Sequence, residues 1–230
     1  MDKFIPLSVP NIKGNEIKYV EKALKDEWVS TAGSFIVEFE NNIKNYTKSN
    51  YAIACQSGTA GIHLSLLALN INKDNEVIVP TLTFIAAVNP IKYVGAEPIF
   101  MDCDDSLCLD SKKLKQFCEE ECIFIDNKLI NKRTNKHIAA IIVVHIFGNM
   151  ANMEEIMEIC KQYNLKVIED ATESLGTFYK EGKYKGKYAG TIGDIGIYSF
   201  NGNKIITTGG GGMVVCNNAA NSNKIKYLST

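Results

Sequence analysis

The sequence lacks features that are typical of several large classes of protein. Its 25 basic and 26 acidic residues leave a net charge of −1, which favours neither nucleic acid nor an acidic membrane as a partner. The longest apolar run, residues 138–148, is too short to cross a bilayer and contains His145. Residues 1–7 contain no signal-peptide core or cleavage site. We therefore expect neither a nucleic-acid nor a membrane partner.

Metal-binding and common nucleotide-binding motifs are also missing. The seven cysteines are scattered and no two form a Cys-x-x-Cys pair, which predicts reduced thiols in a cytoplasm rather than disulfides or a zinc site. No His-Glu-x-x-His motif is present, and we expect no bound metal. The sequence also lacks a P-loop, a Gly-x-Gly-x-x-Gly turn after its first strand and a Gly-x-Ser-x-Gly elbow. Those absences weigh against ATP, dinucleotide and hydrolase interpretations.

What is present indicates an α/β domain preceded by helices. With 46% apolar and 22% charged residues, the composition is that of a soluble globular protein and excludes a disordered chain. Residues 14–25 and 35–46 carry apolar residues at helical spacing, which predicts a helical segment over residues 1–50. From residue 51 onward, short apolar runs alternate with helical patterns. This alternation predicts an α/β domain over residues 51–230, with a mainly parallel central sheet and helices on both faces.

A sheet of this kind places its ligand at the carboxyl ends of its strands. The residues predicted at that edge are Ser57, Thr81, His145, Asp170 and Ser199. His145 belongs to an apolar strand predicted over residues 137–147, and it either supports a pocket or is a hydrogen-bonded core histidine. His63 falls within a predicted helix and is expected to be structural.

Lys204 follows the apolar run at residues 194–200 and precedes the glycines at residues 209–212. Burying an ammonium group is costly, so a lysine in this setting either lowers its pKa or reacts. A Schiff base with pyridoxal phosphate (PLP) would need such a lysine. The alternative is a salt-bridged lysine in a general α/β binding domain with a phosphate site.

Three further signals have both a chemical and a structural interpretation. Ser57, Gly58 and Thr59 join a strand to a helix, where backbone N–H groups and the helix dipole favour a phosphate, although a simple N-cap uses the same residue types. Asp170 ends a strand and could pair with a pyridinium nitrogen or cap a helix. The basic and aromatic insertion at residues 179–187 is typical of a solvated hairpin rather than of a phosphate or nucleic-acid patch.

The chain resembles the PLP-dependent nucleotide-sugar aminotransferases of the DegT/StrS group, which have the large domain of the fold-type-I transferases. The matching stretches are residues 14–16, 57–59, 80–84, 144–148, 169–171, 193–200 and 204–212. The resemblance implies that Lys204 forms the Schiff base and that Asp170 pairs with the pyridine nitrogen. It further implies cofactor contacts by Ser57, Gly58, Thr59 and Ser199 to the phosphate, by Phe84 to the ring and by Glu173 near the ring hydroxyl.

Within this group, residues 169–176 and 201–208 most resemble the branch that aminates UDP-4-keto-6-deoxy-N-acetylhexosamines for legionaminic acid or bacillosamine. That resemblance implies a UDP-sugar and L-glutamate as substrates, a homodimer, and a sugar site lined by Trp28, Val29 and Ser30. The family is longer, so the sequence is expected to cover the large PLP-binding domain without a C-terminal small domain.

Three other functions remain open within this interpretation. The chain could belong to a dTDP-sugar aminotransferase or to a PLP-dependent dehydratase, or it could be a non-catalytic remnant that only binds or dimerises. Dehydratases of the group carry histidine in place of the Schiff-base lysine, so Lys204 favours transamination.

Overall fold

The computed structural model describes residues 4–6, 9–28, 30–31 and 33–230. The helices are α1 (Glu16–Lys25), α2 (Ser34–Thr47), α3 (Gly58–Ala68), α4 (Asn89–Tyr93), α5 (Ser111–Glu120), α6 (Met153–Gln162) and α7 (Ala219–Ser229). The strands are β1 (Tyr51–Cys55), β2 (Asn75–Pro80), β3 (Glu97–Met101), β4 (Cys122–Ile125), β5 (Lys128–Asn131), β6 (His137–Val144), β7 (Lys166–Asp170), β8 (Ile195–Ser199) and β9 (Gly212–Cys216). Two short 3₁₀ helices span Ile85–Ala87 and Ile146–Gly148.

The strands form one sheet in the order β1-β9-β8-β7-β6-β2-β3, with the β4–β5 hairpin attached to the start of β6. Strands β8, β7, β6, β2 and β3 run parallel, whereas β9 is antiparallel to both of its neighbours. All but the first residue of β6 are buried, as expected for a strand covered on both faces. The predicted α/β class and mainly parallel sheet are confirmed.

Helices cover both faces of the sheet because strand side chains alternate between the faces. On one face, Ile197 of β8 and Val214 of β9 pack against α3 so closely that a Cβ added at Gly61 would lie 3.0 and 3.2 Å from their side chains. On the other face, Phe200 contacts Phe39 of α2, with ring centroids 4.8 Å apart. These two contacts fix α3 and α2 on opposite sides of the same strands.

Two predicted elements are shorter in the structure than in the sequence analysis. The sequence after residue 84 also predicts a single helix over residues 85–94. In the structure it is divided, because α4 begins only at Asn89, with Pro90 in its first turn, where the missing N–H costs nothing. The strand predicted over residues 137–147 ends at Val144. Phe147 and Gly148 have φ angles of 55° and 83°, which a strand cannot accommodate.

The hairpin β4–β5 and helix α7 were not predicted at all. The division at residue 50 stays a prediction: α2 packs on the sheet, while α1, which is described in full, contains no buried residue. Within the described ranges no helix is both long enough and apolar enough to cross a membrane.

Candidate active site

The carboxyl ends of β1, β7 and β8 converge at one edge of the sheet. Gly58, just after β1, is buried so tightly that an added Cβ would lie 2.7 Å from Thr172 Cγ2 and 3.3 Å from Ser199 Cβ. Thr172 follows β7 and Ser199 ends β8. Only glycine fits at position 58 without moving these neighbours. The sequence therefore brings three of its predicted site segments together here.

Ser57 is the N-cap of α3, since its Oγ accepts a hydrogen bond from the Ala60 N–H at 3.1 Å. Its carbonyl oxygen accepts the Gly61 N–H at 3.0 Å. Within the described ranges, the backbone N–H groups of Gly58 and Thr59 donate to no protein acceptor. A helix N-terminus with two such donors and a positive dipole end suits a phosphate. The capping and phosphate interpretations thus coexist in one turn.

Asp170 is buried at the end of β7, and its side chain is only sparsely satisfied. Its Oδ1 accepts the Thr172 N–H at 3.1 Å, and no Lys, Arg or His nitrogen within the described ranges lies in ion-pair distance of the carboxylate. Burial raises the pKa of the Asp170 carboxyl, while its hydrogen bonds with Thr172 and the charge of Lys204 oppose the rise. A buried carboxylate without a cationic partner fits a group that presents a protonated ring nitrogen.

His145 lies directly behind this carboxylate rather than in an open pocket. Its backbone N–H donates to the Asp170 carbonyl at 3.0 Å, and its Nδ1 accepts the Ala151 N–H at 3.2 Å. Because Nδ1 accepts, the network assigns the ring hydrogen to Nε2, which donates to Glu169 Oε2 at 2.8 Å. Of the two expected alternatives, His145 is therefore the hydrogen-bonded core histidine, and its contacts hold the end of β7 in place.

Glu169 completes this support, and the sequence analysis did not single it out. Its fully buried carboxylate also accepts backbone N–H bonds from Gly190, Ile192 and Gly193. The feature of the sequence that points to Glu169 is its position immediately before Asp170. Neighbouring strand residues point to opposite faces, so two adjacent carboxylates need two separate sets of partners.

Lys204 lies in the loop between β8 and β9 and is only partly buried, with 17% of its side chain exposed. Its Nζ is 3.4 Å from Glu173 Oε1, and its charge acts on Asp170 at longer range. Glu173 Oε2 accepts the Phe147 N–H at 2.9 Å. We call Lys204, Glu173 and Asp170 the lysine–carboxylate cluster. Lys204 is paired directly with Glu173, which realises the salt-bridged alternative, and only its longer-range charge reaches Asp170.

Other predicted site residues lie outside the contacts of this cluster. Phe84 precedes a 3₁₀ helix and is 75% exposed, and Trp28 is 58% exposed. Ser30 lines a cavity of about 800 Å³ between α2, α3 and the end of α7, which also borders Gln56 and Thr208. Val29 lies outside the described residues. The assigned roles of these four residues stay predictions.

Two more expectations concern residues away from this edge. The four lysines of the insertion at residues 179–187 are exposed above a Phe178–Tyr188 bridge, as expected for a solvated hairpin. His63 is half-buried in α3 and makes an edge contact with Tyr93. Within the described ranges no group of three or more potential ligand side chains could hold a metal ion.

The sheet order, the phosphate-type turn and the lysine–carboxylate cluster together define a transferase-like α/β site suited to pyridoxal phosphate. The chain belongs to the DegT/DnrJ/EryC1/StrS aminotransferase family, whose model matches residues 10–230. It is 45% identical over 215 residues to GDP-perosamine synthase of Escherichia coli O157:H7, covering 94% of this chain and 54% of that protein.

Another relative is named for a UDP-linked sugar. The chain is 37% identical over 224 residues to UDP-4-amino-4,6-dideoxy-N-acetyl-beta-L-altrosamine transaminase of Campylobacter jejuni, covering 97% of this chain and 54% of that enzyme. The structure of NtdA from Bacillus subtilis with bound cofactor PMP, the aminated form of PLP, superimposes with a TM-score of 0.74 at 28% identity. That match covers 93% of this chain and 45% of the other.

These comparisons confirm the family, the fold and the cofactor that the sequence analysis expected. The family and its relatives are PLP-dependent sugar aminotransferases. The chain spans about half the length of the curated relatives it matches.

Proposed function

We propose that the protein containing this chain moves an amino group from L-glutamate, by way of PLP, to a ketone of a nucleotide-linked sugar. The observation that supports this most strongly is the Lys204–Glu173–Asp170 cluster beside the α3 N-terminus, in a chain that belongs to the family. Pyridoxal phosphate, when bound, supplies the electron sink that allows an amino group to be exchanged. The chain's own residues supply the anchors and the movable proton.

Each anchor has a physical reason. The amine of Lys204 would hold the cofactor through its aldehyde carbon, with loss of water, and the same Nζ, once released, would carry a proton to and from the reacting carbon. The Asp170 carboxylate would pair with the ring nitrogen and favour its protonated form. The N–H groups of Gly58 and Thr59 would hold the phosphate, with Ser57 and Ser199 beside them. We assign Phe84 to ring stacking, and Trp28, Val29 and Ser30 to the sugar site, on the resemblance alone.

The sugar is the finer part of the proposal. We propose a UDP-4-keto-6-deoxy-N-acetylhexosamine, for legionaminic acid or bacillosamine, and the name of the Campylobacter relative supports a UDP-linked 4-amino-4,6-dideoxy product. The name of the Escherichia relative favours a GDP-linked sugar as the second candidate, at the higher identity of 45%. A homodimer in a cytoplasm belongs to the same proposal.

The covalent anchor is tested by trapping. Purified protein mixed with PLP is expected to develop an absorbance band near the visible edge, and borohydride should then fix the cofactor mass on the peptide that carries Lys204. The variant Lys204→Ala should give neither the band nor the modified peptide, and should lose at least about 10³-fold in amination rate. Trapping on another lysine, or no trapping, would reject the assignment.

The substrate is tested by product analysis. The protein, PLP and glutamate are incubated separately with UDP-, GDP- and dTDP-linked 4-keto-6-deoxy sugars, and products are identified by mass. An aminated product with 2-oxoglutarate supports transamination, while loss of a hydroxyl without nitrogen uptake would identify a dehydratase. No turnover of any sugar by PLP-loaded protein would favour a non-catalytic role.

A further inference from the structure

Glu173 is held by two contacts whose combined effect goes beyond contact with a cofactor. Its Oε2 accepts the Phe147 N–H at 2.9 Å, and its Oε1 lies 3.4 Å from Lys204 Nζ. The two oxygens therefore have different partners, and the bond from the Phe147 N–H orients Oε1 toward Lys204. A carboxylate fixed by a backbone donor loses less freedom when it pairs with a lysine.

The backbone that presents this donor is unusual. Phe147 has φ 55°, a left-handed conformation that is uncommon for an aromatic residue, and Gly148 follows with φ 83°. Thr177 Oγ1 donates to the Gly148 carbonyl at 3.0 Å and fixes the turn from its other side. Such conformations persist where the surroundings hold them, and they cluster at functional sites. Here the turn directs a single N–H at Glu173.

Two carboxylates influence Lys204, and they differ in what else they serve. Asp170 acts on the lysine only at longer range and, under the proposed function, faces the ring nitrogen of the cofactor. Glu173 is in direct contact with the lysine and is 33% exposed. It is therefore the carboxylate that can neutralise the ammonium of Lys204 whenever this residue is not bonded to the cofactor.

We propose that Glu173 is a positioning residue that holds Lys204 Nζ by an ion pair and directs it into the site whenever the lysine is free. No bond forms or breaks at the oxygens of the glutamate. The proton that Lys204 delivers leaves Nζ, and the same nitrogen takes it back from the reacting carbon. This proposal rests on the proposed function and deepens it by assigning a partner to the proton-carrying lysine.

The charge of Glu173 can be tested without any cofactor. Cofactor-free protein is labelled with trace acetic anhydride at pH 8, where only neutral amines react, and Lys204 acetylation is measured by peptide mass spectrometry relative to exposed Lys161 on α6. The variant Glu173→Gln keeps an acceptor for the Phe147 N–H but removes the charge. We expect Lys204 to react about three- to tenfold faster in this variant, as befits a partly exposed ion pair.

A matched control exists elsewhere in the chain. Lys226 pairs with Glu40 at 2.8 Å, and Glu40 is likewise held by a backbone donor, the Ala54 N–H at 2.9 Å. Glu40→Gln should speed acetylation of Lys226 and leave Lys204 unchanged, while Glu173→Gln should do the reverse. Equal changes at both lysines in either variant would indicate general loosening and overturn the proposal.

Two further measurements separate charge from shape. Glu173→Asp retains the charge on a shorter side chain, so Lys204 should stay slow to react. A purely steric role predicts the opposite order, with faster acetylation in Glu173→Asp and no change in the isosteric Glu173→Gln. In the wild type, raising salt from 50 to 500 mM should speed Lys204 acetylation, since salt screens a partly exposed pair. This salt response is available even if Glu173→Gln does not fold, and its absence would sink the proposal.

Failure of the proposed function would look different. Borohydride trapping is scored in the wild-type protein as the presence or absence of the cofactor mass on Lys204, and acetylation is measured without PLP. Normal trapping with an unchanged Lys204 acetylation rate in Glu173→Gln would reject only the role of Glu173. An accelerated rate without trapping would reject only the cofactor assignment.

Discussion

Glu169 and Asp170 are adjacent carboxylates on the same strand, both buried, yet their surroundings differ completely. Glu169 accepts from the His145 ring and from three backbone N–H groups, whereas Asp170 Oδ1 accepts from the backbone N–H of Thr172. A buried charge must be compensated, and only Glu169 obtains full compensation from the protein. One strand end therefore carries a carboxylate that the protein compensates fully and, beside it, a buried carboxylate with few protein partners.

The largest expected effect on stability comes from changing Glu169, the carboxylate that the protein compensates fully. Glu169→Gln leaves one acceptor oxygen where two were used and brings an NH₂ group against existing N–H donors. We expect a loss of about 3–5 kcal/mol in the free energy of unfolding, measured by urea denaturation, because a buried charged network loses its centre. A loss under about 1 kcal/mol would mean that the two carboxylates are less different than their contacts indicate.

A smaller effect on stability is expected from adding a side chain at Gly58, which lies against Thr172. Gly58→Ala would place its Cβ 2.7 Å from Cγ2 of Thr172, the residue whose backbone N–H donates to Asp170. We expect a loss of about 1–3 kcal/mol in stability, the usual cost of overpacking. Adding Thr172→Ser removes the clashing methyl and should restore most of the loss. Gly210→Ala, with nothing within 4 Å of its added Cβ, is the control and should change stability by less than about 0.5 kcal/mol.

The smallest effect, and the most diagnostic, concerns Asp170 itself. Asp170→Asn keeps an acceptor for the Thr172 N–H and removes a charge that the protein does not compensate, so in cofactor-free protein stability at pH 7 should stay within about 1 kcal/mol of wild type or rise. Trapping of PLP should nevertheless become much weaker. A large loss of stability would show that Asp170, like Glu169, is chiefly structural.

The same variant has a pH signature. Burial raises the folded-state pKa of Asp170 above its unfolded value of about 3.9, so the folded state binds the extra proton between these two values. Wild-type stability should therefore fall relative to Asp170→Asn as pH rises through that window, and the difference should be constant above it. Urea denaturation at a series of pH values from about 3.5 to 8 checks the sign.

Much of this architecture could be predicted from the sequence because each signal is local. The sequence pattern predicts strands over residues 51–55 and 166–170, and β1 and β7 have these bounds. The β4–β5 hairpin carried a local signal as well, because Asp126 and Asn127 form its two-residue turn with positive φ angles of 50° and 59°. An Asp-Asn pair between two apolar runs thus indicates a hairpin, although the sequence analysis did not predict one here.

The missed parts of the site have a different cause. Topology alone places Asp170 and Ser199 at one edge, but the partners of Glu169 come from a loop more than 20 residues away. Likewise, Glu173 meets Lys204 across 31 residues, through a turn whose left-handed Phe147 no propensity rule would propose. Contacts of this kind depend on tertiary packing and are invisible to periodicity.

The antiparallel placement of β9 has a consequence for the lysine. Ser199 and Gly212 are paired in the ladder, and Phe200 N–H bonds to the Gly211 carbonyl, so the loop that carries Lys204 leaves and rejoins the sheet at neighbouring positions. Both ends of this loop are therefore held by the hydrogen bonds of the sheet. Consequently, the tip of the loop with Lys204 can change its contacts without any shift of a strand.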